Sequence, residues 1–176
     1  PYQAFNISDP KPRNIHKATV RDRLLHHTIY RVLYPYFGKR FIHDSYSCRL
    51  NKGTHKANRQ FQKYFYKVSK NNTRQCWVLK CDVRKFFASI DHNSLRYIVT
   101  KYIDDQDTNW LLDRVISSFH STEEGKGLPL GNLTSQLLVN IYMNEVDQWM
   151  KHIIKVKYYI RYADDFVILN QDKDYL

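Results

Sequence analysis

Three aspartates carry the clearest chemical possibility in this chain. Asp164 and Asp165 are adjacent, between two apolar β-prone runs, and Asp82 closes a third such run, WVLKC, at residues 77–81. Neighbouring carboxylates at the tip of a hairpin repel one another and raise each other's pKa, a cost that a bound cation relieves. If the strand before Asp82 and the strands around Asp164-Asp165 are sheet neighbours, the three carboxylates converge. Hard oxygen donors of that kind suit Mg²⁺, which keeps several waters and shares its shell with substrate phosphates. Two such ions can activate an attacking hydroxyl and stabilise a leaving oxygen in a phosphoryl transfer. An Asp-Asp pair after a strand is also compatible with a solvated turn or a helix N-cap. The eight histidines show no ligand spacing and are not read as metal ligands.

Positioning those acids requires strands, and the pattern supplies them. Residues 156–162 and 166–169 read as the two arms of a hairpin joined at 163–165, and residues 77–81 as a buried strand. Apolar residues at helical spacing predict a helix over 20–37, with Val20, Leu24, Leu25, Ile29, Val32 and Leu33 on its apolar positions. A loop over 41–55 precedes a second helix over 56–68, with Ala57, Phe61, Phe65 and Val68 on one face and basic residues on the other. Further helices are expected over 94–102, capped by Asp91 or Asn93, and over 108–119. A Gly-containing turn over 124–131 then opens a long helix. The N-terminal twenty residues, interrupted by Pro10 and Pro12, read as an irregular strand or hairpin leading into a helix. The mixture is α+β.

Composition narrows the partners. Twenty-eight Lys and Arg against 17 Asp and Glu give a formal charge of +11, distributed along the whole chain. That spread predicts a broad polyanion-binding surface with salt-sensitive affinity. Fourteen Tyr and nine Phe could stack on bases or fill a core. A hydrophobic content of 43% excludes a disordered tail. Three cysteines without metal-site spacing, and no secretory or membrane-spanning stretch, predict a reduced, soluble, cytoplasmic protein. Both ends read as cut from something longer.

Five ordered segments resemble reverse transcriptases. Tyr162-Ala163-Asp164-Asp165 resembles their Tyr-X-Asp-Asp signature, and KCDVRKFFASIDH the segment bearing their first catalytic aspartate. LPLGNLTSQ resembles the intervening Gly-X-X-X-Ser segment, here Gly131 and Ser135. KPRNI with RDRLLHHTIY, and DSYSCRLNKGTH, match upstream. The resemblance covers nearly the whole chain. It implies a right-hand polymerase fold: fingers over 1–75, a palm with an antiparallel sheet over 76–176, some interleaving of the two, and no thumb.

The same resemblance makes Asp82, Asp164 and Asp165 the metal-binding triad for two Mg²⁺ ions, with Mn²⁺ able to substitute. It sets the backbone of residues 83–86, beginning at Val83, against the incoming triphosphate and its ion. Phe87, beside Phe86, matches the steric gate that excludes a ribose 2′-hydroxyl; a core phenylalanine is the alternative. Arg13 and Lys11 match phosphate-holding fingers residues. Leu130, Gly131 and Gln136 fall in the nucleotide-binding segment, and Tyr162 and Ala163 beside the primer. Arg21, Arg23, Lys52, Lys56, Arg59 and Lys63 are candidates for template-backbone contacts, or plain surface charges.

Leu130 and Ser135-Gln136 are similar to the error-prone enzymes of diversity-generating retroelements, where many relatives carry Gln before the Gly and Pro after the Ser. Ala163 departs from the Met common in that group. Expected partners are an RNA template, a DNA or RNA primer, deoxynucleotides and a small basic accessory protein contacting the basic helix around Lys56; a bacterial or phage origin follows from the same group. Rival readings are a retron or group II intron enzyme, a catalytically silent RNA-binding scaffold, and a metal-dependent nuclease.

Overall fold

The structure is a computed structural model that describes residues 2–8 and 12–176. Its helices and strands mix in the α+β manner expected, and their contacts divide the chain into two compact units.

The first unit comprises Pro1–Lys39 and Lys85–Tyr142. Strands β1 (Tyr2–Ile7) and β2 (Arg13–Ala18) form an antiparallel hairpin with Tyr2 opposite Ala18 and Ile7 opposite Arg13. Helix α1 (Val20–Gly38) follows, its start fixed by Thr19, whose hydroxyl accepts the Asp22 amide at 3.2 Å. Its buried stripe is His26, Ile29, Leu33 and Phe37. Val20, Leu24 and Val32, expected on the core side, are 66–67% exposed. The two sets sit on different faces of a 3.6-residue helix, so only one can turn inward. After the short α3 (Phe86–Ser89) come α4 (His92–Thr100) and α5 (Gln106–Ser117). Both begin two residues earlier than the apolar spacing predicts, because Asp91 and Asp105 accept the amides of Ser94 and Thr108 at 2.7 and 2.8 Å. The caps, rather than the first apolar residue, set these starts. Leu95 and Val99 of α4 and Leu112 and Ile116 of α5 are buried where those helices meet. Helix α6 (Leu133–Gln148) begins in this unit and ends in the next.

The second unit comprises Arg40–Arg84 and Met143–Leu176. It holds helix α2 (Thr54–Val68) and a three-stranded antiparallel sheet of β3 (Trp77–Cys81), β4 (Tyr159–Tyr162) and β5 (Asp165–Asn170), ordered β3-β5-β4. One sheet face packs Ile160 and Val167 against Ala57, Phe61 and Tyr64 of α2, together with Tyr46. The opposite face packs Leu79, Tyr159, Phe166 and Ile168 against Val146 and Met150, the latter in a π-helical turn (Trp149–Ile153) that ends α6. Strand β3 is only half covered, with Val78 and Lys80 exposed, which corrects the expectation of a buried strand. It lies at the sheet's edge, where alternate residues keep one face in water.

The contacts do not follow a boundary at 75/76. Helix α2 packs on β4 and β5, and residues 85–142 belong with the N-terminal hairpin and α1, so the chain passes between the units more than once.

Candidate active site

The acid-bearing hairpin belongs to the second unit. Tyr162 pairs with Asp165, leaving Ala163 and Asp164 as a two-residue connection. Ala163 adopts φ 57°, a left-handed conformation that costs a residue with a Cβ roughly 1–2 kcal/mol. A buried guanidinium compensates: Arg161 Nη1 donates to the Ala163 carbonyl at 2.8 Å. Arg161 is itself held by Asp147, with Nε donating to Oδ1 and Oδ2 at 2.8 and 3.0 Å and Nη2 to Oδ2 at 2.7 Å. Nη2 also donates to Ser45 Oγ at 3.1 Å, and the Tyr159 hydroxyl donates to Asp147 Oδ1 at 2.8 Å. Burial, then the Asp147 charge, pushes the Tyr159 phenol far above its ordinary pKa, so it stays a donor.

The backbone is clamped as well. The loop before α2 pairs with Arg161 from both sides, Arg161 N donating to Asp44 O and Tyr46 N to Arg161 O, each at 2.9 Å. Asp44 accepts the hydroxyl of Tyr64, on α2, at 2.6 Å, and burial with that hydrogen bond pushes the Tyr64 phenol up to about 12. At the tip, Thr54 Oγ1 donates to Tyr162 Oη at 3.1 Å.

Strand β3 is the direct neighbour of β5, with Cys81 opposite Phe166, so the next residues in register are Asp82 and Asp165. The end of β3, the end of β4 and the start of β5 lie at one end of the sheet, and all three acids belong to that end. Asp82 is exposed. Lys80 Nζ stands 3.7 Å from Asp165 Oδ1, both side chains being largely in solvent, a pair worth little on its own. Among the described residues no group of three His, Cys, Asp or Glu side chains stands close enough to hold a metal ion. The donor chemistry of the candidate ligands nevertheless fits Mg²⁺: they are three carboxylates, with Lys80 a nearby cation of Asp165. Val83, the next residue after Asp82, is 37% exposed.

The first unit holds several of the other candidates. Phe86 is a core residue, 5% exposed, with Phe87 edge-on at 5.9 Å between ring centroids. Phe87 is half-buried, and its carbonyl accepts the Leu128 amide at 2.8 Å. Strand β2 joins the Gly131 segment through two hydrogen bonds, His16 N to Leu130 O and Asn132 Nδ2 to His16 O, both 3.0 Å. Gly131 has φ 101°, and a Cβ there would come within 2.9 Å of Ile15 Cγ2, so glycine serves both conformation and close approach. Gln136 is half-buried in α6, and its carbonyl accepts Asn140 Nδ2 at 3.2 Å. Arg13, Arg21 and Arg23 are exposed; Lys11 lies outside the described residues.

On α2, Arg59 and Lys63 are exposed, and Lys56 Nζ is exposed while donating to Asn51 O at 2.7 Å. Lys52 is committed inward, donating to His43 O at 2.8 Å and lying 4.9 Å from the Tyr46 ring centroid. Residue types had not singled out Arg161, Asp147 or Asn132. The signal available was an Arg in the middle of an apolar strand, YYIRY, which a buried sheet tolerates only when paired.

A family model described as reverse transcriptase (RNA-dependent DNA polymerase) matches residues 8–176. The chain belongs to the reverse transcriptase family. Among curated relatives, protein YkfC of Escherichia coli is 28% identical over 81% of this chain, and the group II intron-encoded protein LtrA of Lactococcus lactis is 24% identical over 84%. The chain spans 38% and 24% of those proteins' lengths. A solved structure of Candida tropicalis telomerase in complex with a fragment of telomeric RNA shares the fold, with TM-score 0.68 and 11% identity over 98% of this chain and 36% of that one. Among the described residues no helix is long and apolar enough to cross a membrane.

Proposed function

We propose that this chain forms the fingers and palm of an RNA-directed DNA polymerase that copies an RNA template from a DNA or RNA primer. The observation that carries the reading is the antiparallel register of β3 with β5, in which Asp82 and Asp165 are consecutive to the last pair and Asp164 occupies the adjoining turn. In the reaction the primer 3′-hydroxyl, giving up its proton to solvent, attacks the α-phosphate of a deoxynucleotide; a P–O bond forms to the primer, the bond from the α-phosphorus to the bridging oxygen breaks, and pyrophosphate departs. Asp82, Asp164 and Asp165, with the Val83 backbone, would hold two Mg²⁺ ions, or Mn²⁺ in their stead, which supply charge stabilisation to the attacking and leaving oxygens.

The remaining roles belong to the same proposal. Arg13 and Lys11 hold nucleotide phosphates, and Phe87 excludes a 2′-hydroxyl beside Phe86. Leu130, Gly131 and Gln136 line the nascent pair; Tyr162 and Ala163 stand beside the primer. Arg21, Arg23, Lys56 and Arg59 follow the template backbone. Strong salt dependence of template affinity is expected from the net charge of +11.

The finer reading is an error-prone, bacterial or phage-encoded cytoplasmic enzyme of a diversity-generating retroelement, working with a small basic accessory protein. It rests on Leu130 and Gln136: an aliphatic side chain where many relatives carry Gln removes a hydrogen-bond anchor near the new pair. An intron-type enzyme is the second reading, favoured by the group II intron-encoded relative.

The test is primer extension on RNA with Mg²⁺ and labelled deoxynucleotides, comparing the full-length gene product with its Asp164→Ala, Asp165→Ala form. Acid-dependent cDNA supports polymerisation; no extension by a folded preparation with its RNA and accessory partner favours a binding scaffold. Sequencing the cDNA tests the subgroup: errors concentrated opposite adenine and reduced by Leu130→Gln support it, and equal fidelity in both proteins overturns it.

A further inference from the structure

The interior of the second unit contains an ionised pair that its apolar packing does not require. Arg161 and Asp147 are each 0% exposed, and removing two charges from water costs several kcal/mol per ion before any pairing. An apolar pair of similar volume would hold β4 to the end of α6 at least as well. What an apolar pair could not do is reach the turn. The Arg161 side chain uses Nε and Nη2 on Asp147 and Ser45, and directs Nη1 to the carbonyl of Ala163, the residue at φ 57° whose peptide leads into Asp164.

We propose that Arg161 is a positioning residue for the polymerase reaction, fixing the peptide between Ala163 and Asp164 so that the Asp164 carboxylate is presented in one orientation. The inference rests on the polymerase reading for its consequence in catalysis, and on geometry alone for its mechanical part. Three features make the device specific. The guanidinium is planar, so once Asp147 grips one edge the direction of Nη1 is set. Ser45 and the backbone bonds of Asp44 and Tyr46 prevent the strand from sliding. Asp147 in turn is oriented by the Tyr159 hydroxyl. Lysine at position 161 would keep the charge but offers one nitrogen on a flexible stem, which cannot satisfy Asp147 bidentately and hold the turn at once.

The test separates the turn contact from mere stability. Amide hydrogen exchange over residues 159–170 is measured on the full-length protein as wild type, Arg161→Lys, Ser45→Ala and Tyr159→Phe, with thermal melts alongside. Expected are faster exchange at the hairpin tip in Arg161→Lys, by about tenfold or more, and smaller increases in Ser45→Ala and Tyr159→Phe, which remove one support of the guanidinium and one of its Asp147 partner, beyond what any fall in melting temperature accounts for. In single-nucleotide addition, Arg161→Lys should lower kcat on the order of 100-fold with nucleotide KM little changed, since a misplaced acid affects the reacting geometry more than phosphate binding. Tip exchange equal to wild type in a folded Arg161→Lys overturns the proposal. Should that variant not fold, Ser45→Ala decides by the same criterion. Absence of activity in the wild type would refute the polymerase reading while leaving the exchange result to judge the turn contact.

Discussion

The protein contains two antiparallel hairpins built to opposite specifications. The β4–β5 hairpin has a two-residue connection, a strand that is buried at three of its four residues, and a paired guanidinium bracing its turn. The β1–β2 hairpin has strands of six residues whose pattern is mostly exposed, and its paired stretch ends at Ile7 opposite Arg13. Both strands are anchored by contacts away from that end: in β2, His16 binds the Leu130 carbonyl and the Asn132 side chain, and in β1 the Tyr2 hydroxyl pairs with Ser118 Oγ at 2.9 Å. Acids that must stay close together against their own repulsion need an over-determined support. On the proposed reading Arg13, exposed at the start of β2, would meet the nucleotide phosphates without such bracing.

The strongest test of that contrast is chemical. Replacing Asp164 and Asp165 by alanine should abolish extension, a loss on the order of 1,000-fold or more in single-nucleotide kcat, because several kcal/mol of charge stabilisation disappears. Circular dichroism melts should change little, since both side chains lie at the hairpin tip. A large fall in stability would mean the acids are structural.

Next comes packing. Leu169→Ala in β5, a position 1% exposed, should cost about 2–5 kcal/mol in urea unfolding, whereas Phe5→Ala in β1, 45% exposed, should cost less than about 0.5 kcal/mol. Equal costs would erase the distinction between the hairpins.

Arg13→Ala should raise the nucleotide KM about tenfold, the worth of one charge-assisted hydrogen bond, with unchanged melting. An unchanged KM would remove Arg13 from the nucleotide site.

The smallest effect concerns acid. His26 is buried on α1 with Nδ1 2.7 Å from Thr134 Oγ1, and burial lowers its pKa below the ordinary value near 6.5 while the Asp22 charge partly opposes. The unfolded chain therefore takes up the proton first. The resulting stability is complete above pH 6.5 and falls away as pH drops toward the lower folded value. A melting temperature that declines modestly between pH 7 and pH 5, and declines less in His26→Gln, is the expected outcome. An identical decline in both proteins would assign the pH dependence elsewhere.

The sequence already held the α+β class, the acid hairpin, the helices that follow capping aspartates, and the family motifs. Each is a local pattern: an apolar period, an Asp three residues before an amide that needs an acceptor, or a short string of residue types. Chain neighbours create these signals, so they survive without a fold. Tertiary structure alone decided which stripe of α1 faces inward, because Val20, Leu24 and Val32 carry the same helical spacing as the residues that are buried. It also decided that β3 is half exposed, since an apolar run does not say whether a strand is central or at an edge. The partnership of Arg161 with Asp147, fourteen residues earlier, and with Ser45, 116 residues earlier, was likewise invisible in order along the chain. Long-range pairing is set by which surfaces meet after the sheet has formed, and a charge in an apolar strand announces only that some partner must exist.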